Sequence, residues 1–62
     1  MWHRVKDSLP HRSEWLAVVH LIDDNKEQVH EEASWDGEKW TRRYNGEHVE
    51  KNYYYLWRRL ET

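Results

Sequence analysis

Between Glu14 and Ile22 the chain reads EWLAVVHLI, its strongest apolar segment. Taken with a period of two, Trp15, Ala17, Val19 and Leu21 fall on one side, and Leu16, Val18, His20 and Ile22 on the other. Both sides are apolar. Together with the β-branched content and the Asp23-Asp24-Asn25-Lys26 turn that follows, this predicts the central strand of a sheet covered on part of each face. Pro10 upstream and Asp23-Asp24-Asn25 downstream leave little room for a helix.

The next segments alternate more cleanly. Val29, Glu31, Ala33 and Trp35 interleave with Gln28, His30, Glu32 and Ser34, and Trp40, Arg42 and Tyr44 with Lys39, Thr41 and Arg43. Asp36-Gly37 stands between Trp35 and Trp40, and Asn45-Gly46 between Tyr44 and Val49. Such pairs favour type I′ hairpins, whose two central residues take positive φ. The pattern predicts a meander with strands near 15–22, 27–35, 39–44 and 47–50.

The closing VEKNYYYLWRRLET supports two readings. Val49, Tyr53, Leu56, Trp57 and Leu60 recur at helical spacing, whereas NYYYLW is strongly β-prone. An extended segment is slightly favoured, with a short C-terminal helix on one sheet face as the alternative. The predicted fold class is a small antiparallel β-sheet, a meander of four to five strands forming a single domain over residues 1–62.

Length sharpens this picture. A chain of 62 residues holds one domain and buries only about 60% of its unfolded surface. With no cysteine to cross-link it or to bind zinc, stability must come from dense aromatic packing or from oligomerisation. Five Trp and four Tyr, with no Phe, fit the first route. Trp15, Trp35, Trp40 and Trp57 are therefore assigned to the core. Three consecutive tyrosines on a strand cannot all point inward, so either Tyr54 or both its neighbours face solvent.

The formal net charge is −2, with six acidic and four basic residues in 1–31 and six of each in 32–62. A general nucleic-acid binder would carry a basic excess instead. No apolar run approaches membrane-span length and no apolar signal segment opens the chain, so the cytoplasm is the expected compartment.

Catalytic and metal chemistry find little support. The five histidines, His3, His11, His20, His30 and His48, are irregularly spaced and match no zinc motif. His30 and Glu32 share a strand face, but two ligands do not make a tight site. His20, in the most apolar strand, reads as a half-buried imidazole hydrogen-bonded across the sheet. Ser8, Ser13 and Ser34 sit in no nucleophile context, and Gly37 and Gly46 are explained by their turns. The expectation is a non-enzymatic protein with no cofactor and no metal.

Arginine and aromatic residues carry more weight, because Trp, Tyr and Arg dominate binding hot spots. They gather at Trp40-Thr41-Arg42-Arg43-Tyr44 and at Tyr53 to Arg59. The candidate partner-binding residues are Arg42, Arg43, Tyr44, Tyr54, Arg58 and Arg59. A sheet displaying such residues can bind a protein or stack the bases of a single strand.

The motifs WHRVKDSLP, EWLAVV, ASWDGEKW and YLWRRLE together resemble a small family of bacteriophages and prophages, domain-of-unknown-function family 551. Trp2, Val5, Asp7, Leu9 and Pro10 match its opening, Trp35, Gly37 and Trp40 its middle, and Trp57 and Leu60 its end. Arg58-Arg59 and Glu61 depart from its closing motif. The resemblance implies phage origin and a β-rich fold. It also implies that Trp2 and Trp57 bring the chain ends together over one sheet face, with Leu9-Pro10 turning the chain into the central strand.

The expected function is that of a phage-type accessory protein, an interaction module that binds and modulates a host or phage protein. A single-stranded nucleic-acid-binding module and a structural homo-oligomer are the alternatives. No membrane partner is expected.

Overall fold

The computed structural model describes residues 1–22, 24 and 27–60. They form one antiparallel sheet from β1 (His3–Arg4), β2 (Trp15–Ile22), β3 (Glu27–Trp35), β4 (Trp40–Arg42), β5 (His48–Val49) and β6 (Leu56–Arg59), with a 3-10 turn at Lys51–Tyr53. The strand order is β1-β6-β2-β3-β4-β5, so β2 and β3 are central. The two long strands coincide with the expected ranges, and β2 lies inside the sheet as its two apolar faces require. The C-terminal segment forms a strand over Leu56–Arg59 rather than a helix. β1 has no signal in the alternation, being only two residues long.

Register explains the turns. A two-residue Asp36-Gly37 loop would oppose Trp35 to Glu38; the observed register opposes Trp35 to Trp40, with their rings 5.1 Å apart. Only Gly37 then takes positive φ (99°), so the expected type I′ turn does not form. Asp36 acts through its carboxylate, which accepts the N–H of Glu38 and of Lys39 at 2.8 and 2.7 Å. Likewise, Trp40 opposes Val49, which lengthens the second loop to Arg43–Gly46 and leaves Gly46 alone at positive φ (72°). Side-chain pairing on the buried face outweighs the local turn preference, because register decides what is buried.

One sheet face carries Leu16, Val18, Ala33, Trp35, Trp40 and Trp57, which cluster with Val5 and Tyr54 into the core. The chain from Val49 to Tyr55 folds over this face. The Trp40 indole donates to the Lys51 carbonyl at 3.0 Å, and the Tyr54 ring meets Trp40 edge-on at 5.5 Å. On the opposite face Val19 is fully buried between its register partners His30 and Leu56.

Trp15 departs from its core assignment. It starts β2 on this second face, 39% exposed, with the Arg43 guanidinium 5.1 Å from its ring centre. Position at a strand end, where one neighbour is missing, accounts for the exposure.

The chain ends do meet, since β1 pairs with β6, but Trp2 and Trp57 lie on opposite faces. His3, not Trp2, lies against Trp57 (4.5 Å between ring centres, planes tilted by 31°), whose indole N–H donates to the Ser8 carbonyl at 3.0 Å. Trp2, 36% exposed, packs edge-on against His30 and under Arg58 on the second face. Strand alternation separates neighbours, so His3 opposite Trp57 sends Trp2 the other way.

Candidate functional site

The core face changes character along the β2–β3 hairpin. Beyond Val18 and Ala33 the inward positions are His20 and Glu31, and Arg42 of β4 sits opposite Ala33. Alternation and register thus bring a histidine, a carboxylate and a guanidinium together, with Tyr54 above them. His20 Nε2 lies 2.6 Å from Glu31 Oε2. Arg42 donates from Nε to Oε1 at 3.0 Å and from a terminal nitrogen to Oε2 at 3.2 Å. The Tyr54 hydroxyl donates to Oε1 at 3.3 Å.

A carboxylate offers about four acceptor positions; on Glu31, Arg42 and Tyr54 donate to three of them, and His20 Nε2 lies against Oε2. Arg42 also donates to Glu47 at 3.0 Å, and its guanidinium lies over the Tyr44 and Tyr53 rings at 4.9 and 5.5 Å. His20 is stacked on Tyr53 at 4.8 Å.

The electrostatics follow from burial and partners. Burial alone would weaken the proton affinity of Arg42; the hydrogen bonds to Glu31 and Glu47, with the charge of Glu31, reverse this and raise it. Burial, then the charge of Glu31, raises the pKa of the Tyr54 phenol, which stays neutral and donates. The centre thus pairs the Arg42 guanidinium with the carboxylates of Glu31 and Glu47. Among the described residues no group of three or more His, Asp or Glu could hold a metal ion.

Beside the cluster β3 outruns β4. The last bond between them runs from the Arg43 N–H to the Glu32 carbonyl at 3.0 Å, and β4 pairs only from Ala33 onward. Glu32, Ser34 and Asp36 turn their backbone groups toward β4. The same row continues in Gln28 and His30, where no described strand lies alongside. Over this edge opens a cavity of about 480 Å³ lined by His20, Val29, Glu31, Glu32, Arg42, Arg43 and Tyr44.

The six expected partner-binding residues therefore separate. Arg42, Arg43 and Tyr44 come together at the cavity, where Tyr44 is 77% exposed. Arg43 is exposed and pairs with Glu32 at 3.0 Å. Tyr54, expected on the binding surface, is instead 1% exposed, because Tyr53 and Tyr55 take the outward positions. Arg42 is half-buried and committed to Glu31. Arg58 and Arg59 lie on β6, across the central pair from β4, and do not join this group. Sequence reasoning missed Glu31. The one trace it leaves in the sequence, an acidic residue on the apolar face of an alternating strand, does not single it out before its partners are placed.

No known family model matches the chain, and no curated protein or solved structure shows significant similarity to it. Among the described residues no helix is long and apolar enough to cross a membrane.

Proposed function

We propose that this protein is a non-enzymatic interaction module of phage type that binds a host or phage protein through the open edge of β3. The observation that carries the reading is the run Glu27–Glu31, paired with β2 on one side and with no described strand on the other, beside the cavity walled by Arg42, Arg43 and Tyr44. An extended partner segment adds to such an edge through main-chain hydrogen bonds, and a pocket beside it selects a side chain. The sheet's outer strands, β1 and β5, are two residues each, a common protection against unwanted pairing. The β3 edge is longer and is bordered by an exposed Tyr and Arg, residue types that dominate hot spots. The motif resemblance supports a phage setting and action in the cytoplasm of a host cell.

The test is affinity capture from nuclease-treated bacterial lysate with the wild-type chain, Tyr44→Ala and Gln28→Pro. Proline at 28 removes an outward N–H and leaves the β2 ladder intact. A stoichiometric protein retained by wild type and lost by both variants is the expected result. A captured protein indifferent to both substitutions refutes the assignment of the site. Sedimentation of the purified chain identifies the case in which the added strand comes from a second copy.

A further inference from the structure

A second cavity, independent of the β3 edge, opens at the β1–β6 side of the sheet. It measures about 530 Å³ and is lined by Met1, His3, Ser8, Leu9, His11, Trp57, Arg58, Arg59 and Leu60. This volume lies within the range of small-molecule sites.

Its chemistry is one-sided. No carboxylate is among its lining residues, although the chain as a whole is acidic. Arg59 and His11 are exposed, and neither forms an ion pair with a described residue. Glu14 lines an adjoining cavity together with His11 and Arg59 but makes no ion pair with either. Arg58 also lines the cavity but holds its guanidinium over the Trp2 ring, and Arg59 is the second arginine of the lining.

The register puts His3, Trp57 and Arg59 on one face, since His3 opposes Trp57 and Arg59 lies two residues further along β6. The His3 ring lies against Trp57 with the two planes tilted by 31°, His3 is exposed, and both rings line the cavity. Leu9 and Leu60 add apolar walls. A planar group against His3, with an anion held by the fork of Arg59 and by His11, satisfies all of these features.

We infer that this cavity binds a nucleoside phosphate, either as a free nucleotide or as part of a single strand. The base stacks on His3 over Trp57, and the phosphate lies at Arg59 and His11. Stacking on aromatic rings beside cationic side chains is how sequence-tolerant binders hold single strands.

Proton–nitrogen NMR of the full chain tests this with adenosine monophosphate, inorganic phosphate and hexathymidylate as separate probes. Adenosine monophosphate should shift the Trp57 indole N–H and the His3 and His11 signals. Arg59→Gln should weaken binding by about tenfold or more, the effect of losing a charged hydrogen-bond donor. Tyr44→Ala, at the other cavity, should leave it unchanged, which separates this site from the β3 edge. Tighter binding of hexathymidylate identifies the single strand as the source, and equal or tighter binding of the mononucleotide identifies the free ligand. No shift with either nucleotide overturns the inference. So does equal affinity for inorganic phosphate, or affinity indifferent to Arg59→Gln.

Discussion

The β2–β3 hairpin joins two regions built on the same ladder but stabilised by different physics. Near the open end of the hairpin, Leu16, Ala33, Trp35 and Trp40 pack as an apolar core, and polar atoms there are few and satisfied. Toward the turn, the same face presents His20, Glu31 and Arg42, capped by Tyr54. The first region gains from removing apolar surface from water, roughly 25 cal/mol per Å². The second gains little on balance, because desolvating charges costs about as much as their mutual attraction returns. What the polar region supplies is geometry. Each partner of Glu31 comes from a different element, so the cluster fixes β2, β3, β4 and the Tyr53–Tyr55 segment relative to one another. The cavity at the β3 edge has that cluster as its floor.

The contrast can be broken from either side. Trp40→Ala should be the most damaging substitution: the indole is fully buried and its N–H is bonded. Truncating such a residue costs about 3–5 kcal/mol, as much as a chain of this size has to spare. The variant should be unfolded at room temperature, with collapsed NMR dispersion.

Glu31→Ala should cost nearly as much, about 3–5 kcal/mol, for a different reason: it takes the carboxylate away from buried His20 and leaves the half-buried Arg42 with Glu47 alone. Its signature is rescue. Replacing the whole cluster, by His20→Leu, Glu31→Leu, Arg42→Met and Tyr54→Phe together, should recover most of the lost stability in urea titrations. No comparable rescue exists for Trp40. A fourfold variant no more stable than Glu31→Ala would show that packing, not charge, dominates both regions.

The apolar region was legible in the sequence and the polar one was not. A β-branched run apolar on both faces and bounded by turn residues located the first long strand, and alternation through Gln28–Trp35 located the second. His20 was readable as a cross-sheet hydrogen-bonding group because it stands in the first of these. Glu31 was not, because a single charged residue on an apolar face looks like noise until its partners are placed. Those partners arrive from Arg42 and Tyr54, 11 and 23 positions away, and only register brings them in. Tyr54 shows the limit most clearly. Alternation required one side of Tyr53–Tyr55 to face inward, but which side depended on how the segment crosses the core face. The open β3 edge was equally hidden, because a difference in strand length becomes an edge only once the order is known.

The smallest expected effect isolates a single bond between the two regions. Tyr54 touches both, its ring against Trp40 and its hydroxyl on Glu31. Tyr54→Phe keeps the ring and removes the 3.3 Å hydrogen bond, so it should lower stability by about 0.5–1.5 kcal/mol near neutral pH. Alkaline pH separates the phenol from the rest. In the folded state burial, then the charge of Glu31, raises the pKa of Tyr54, whereas the unfolded phenol titrates near 10. Above that value the unfolded chain binds fewer protons than the folded one, so stability must fall as pH rises. Below it the contribution is fully present. The wild-type protein should therefore lose stability progressively above about pH 10, and Tyr54→Phe should lose less over the same interval. Melting curves across that range, compared with Tyr44→Phe as the exposed control, decide the matter. Parallel declines in all three proteins would mean that the Tyr54 phenol is not held neutral by its surroundings, and that the two regions are joined by packing alone.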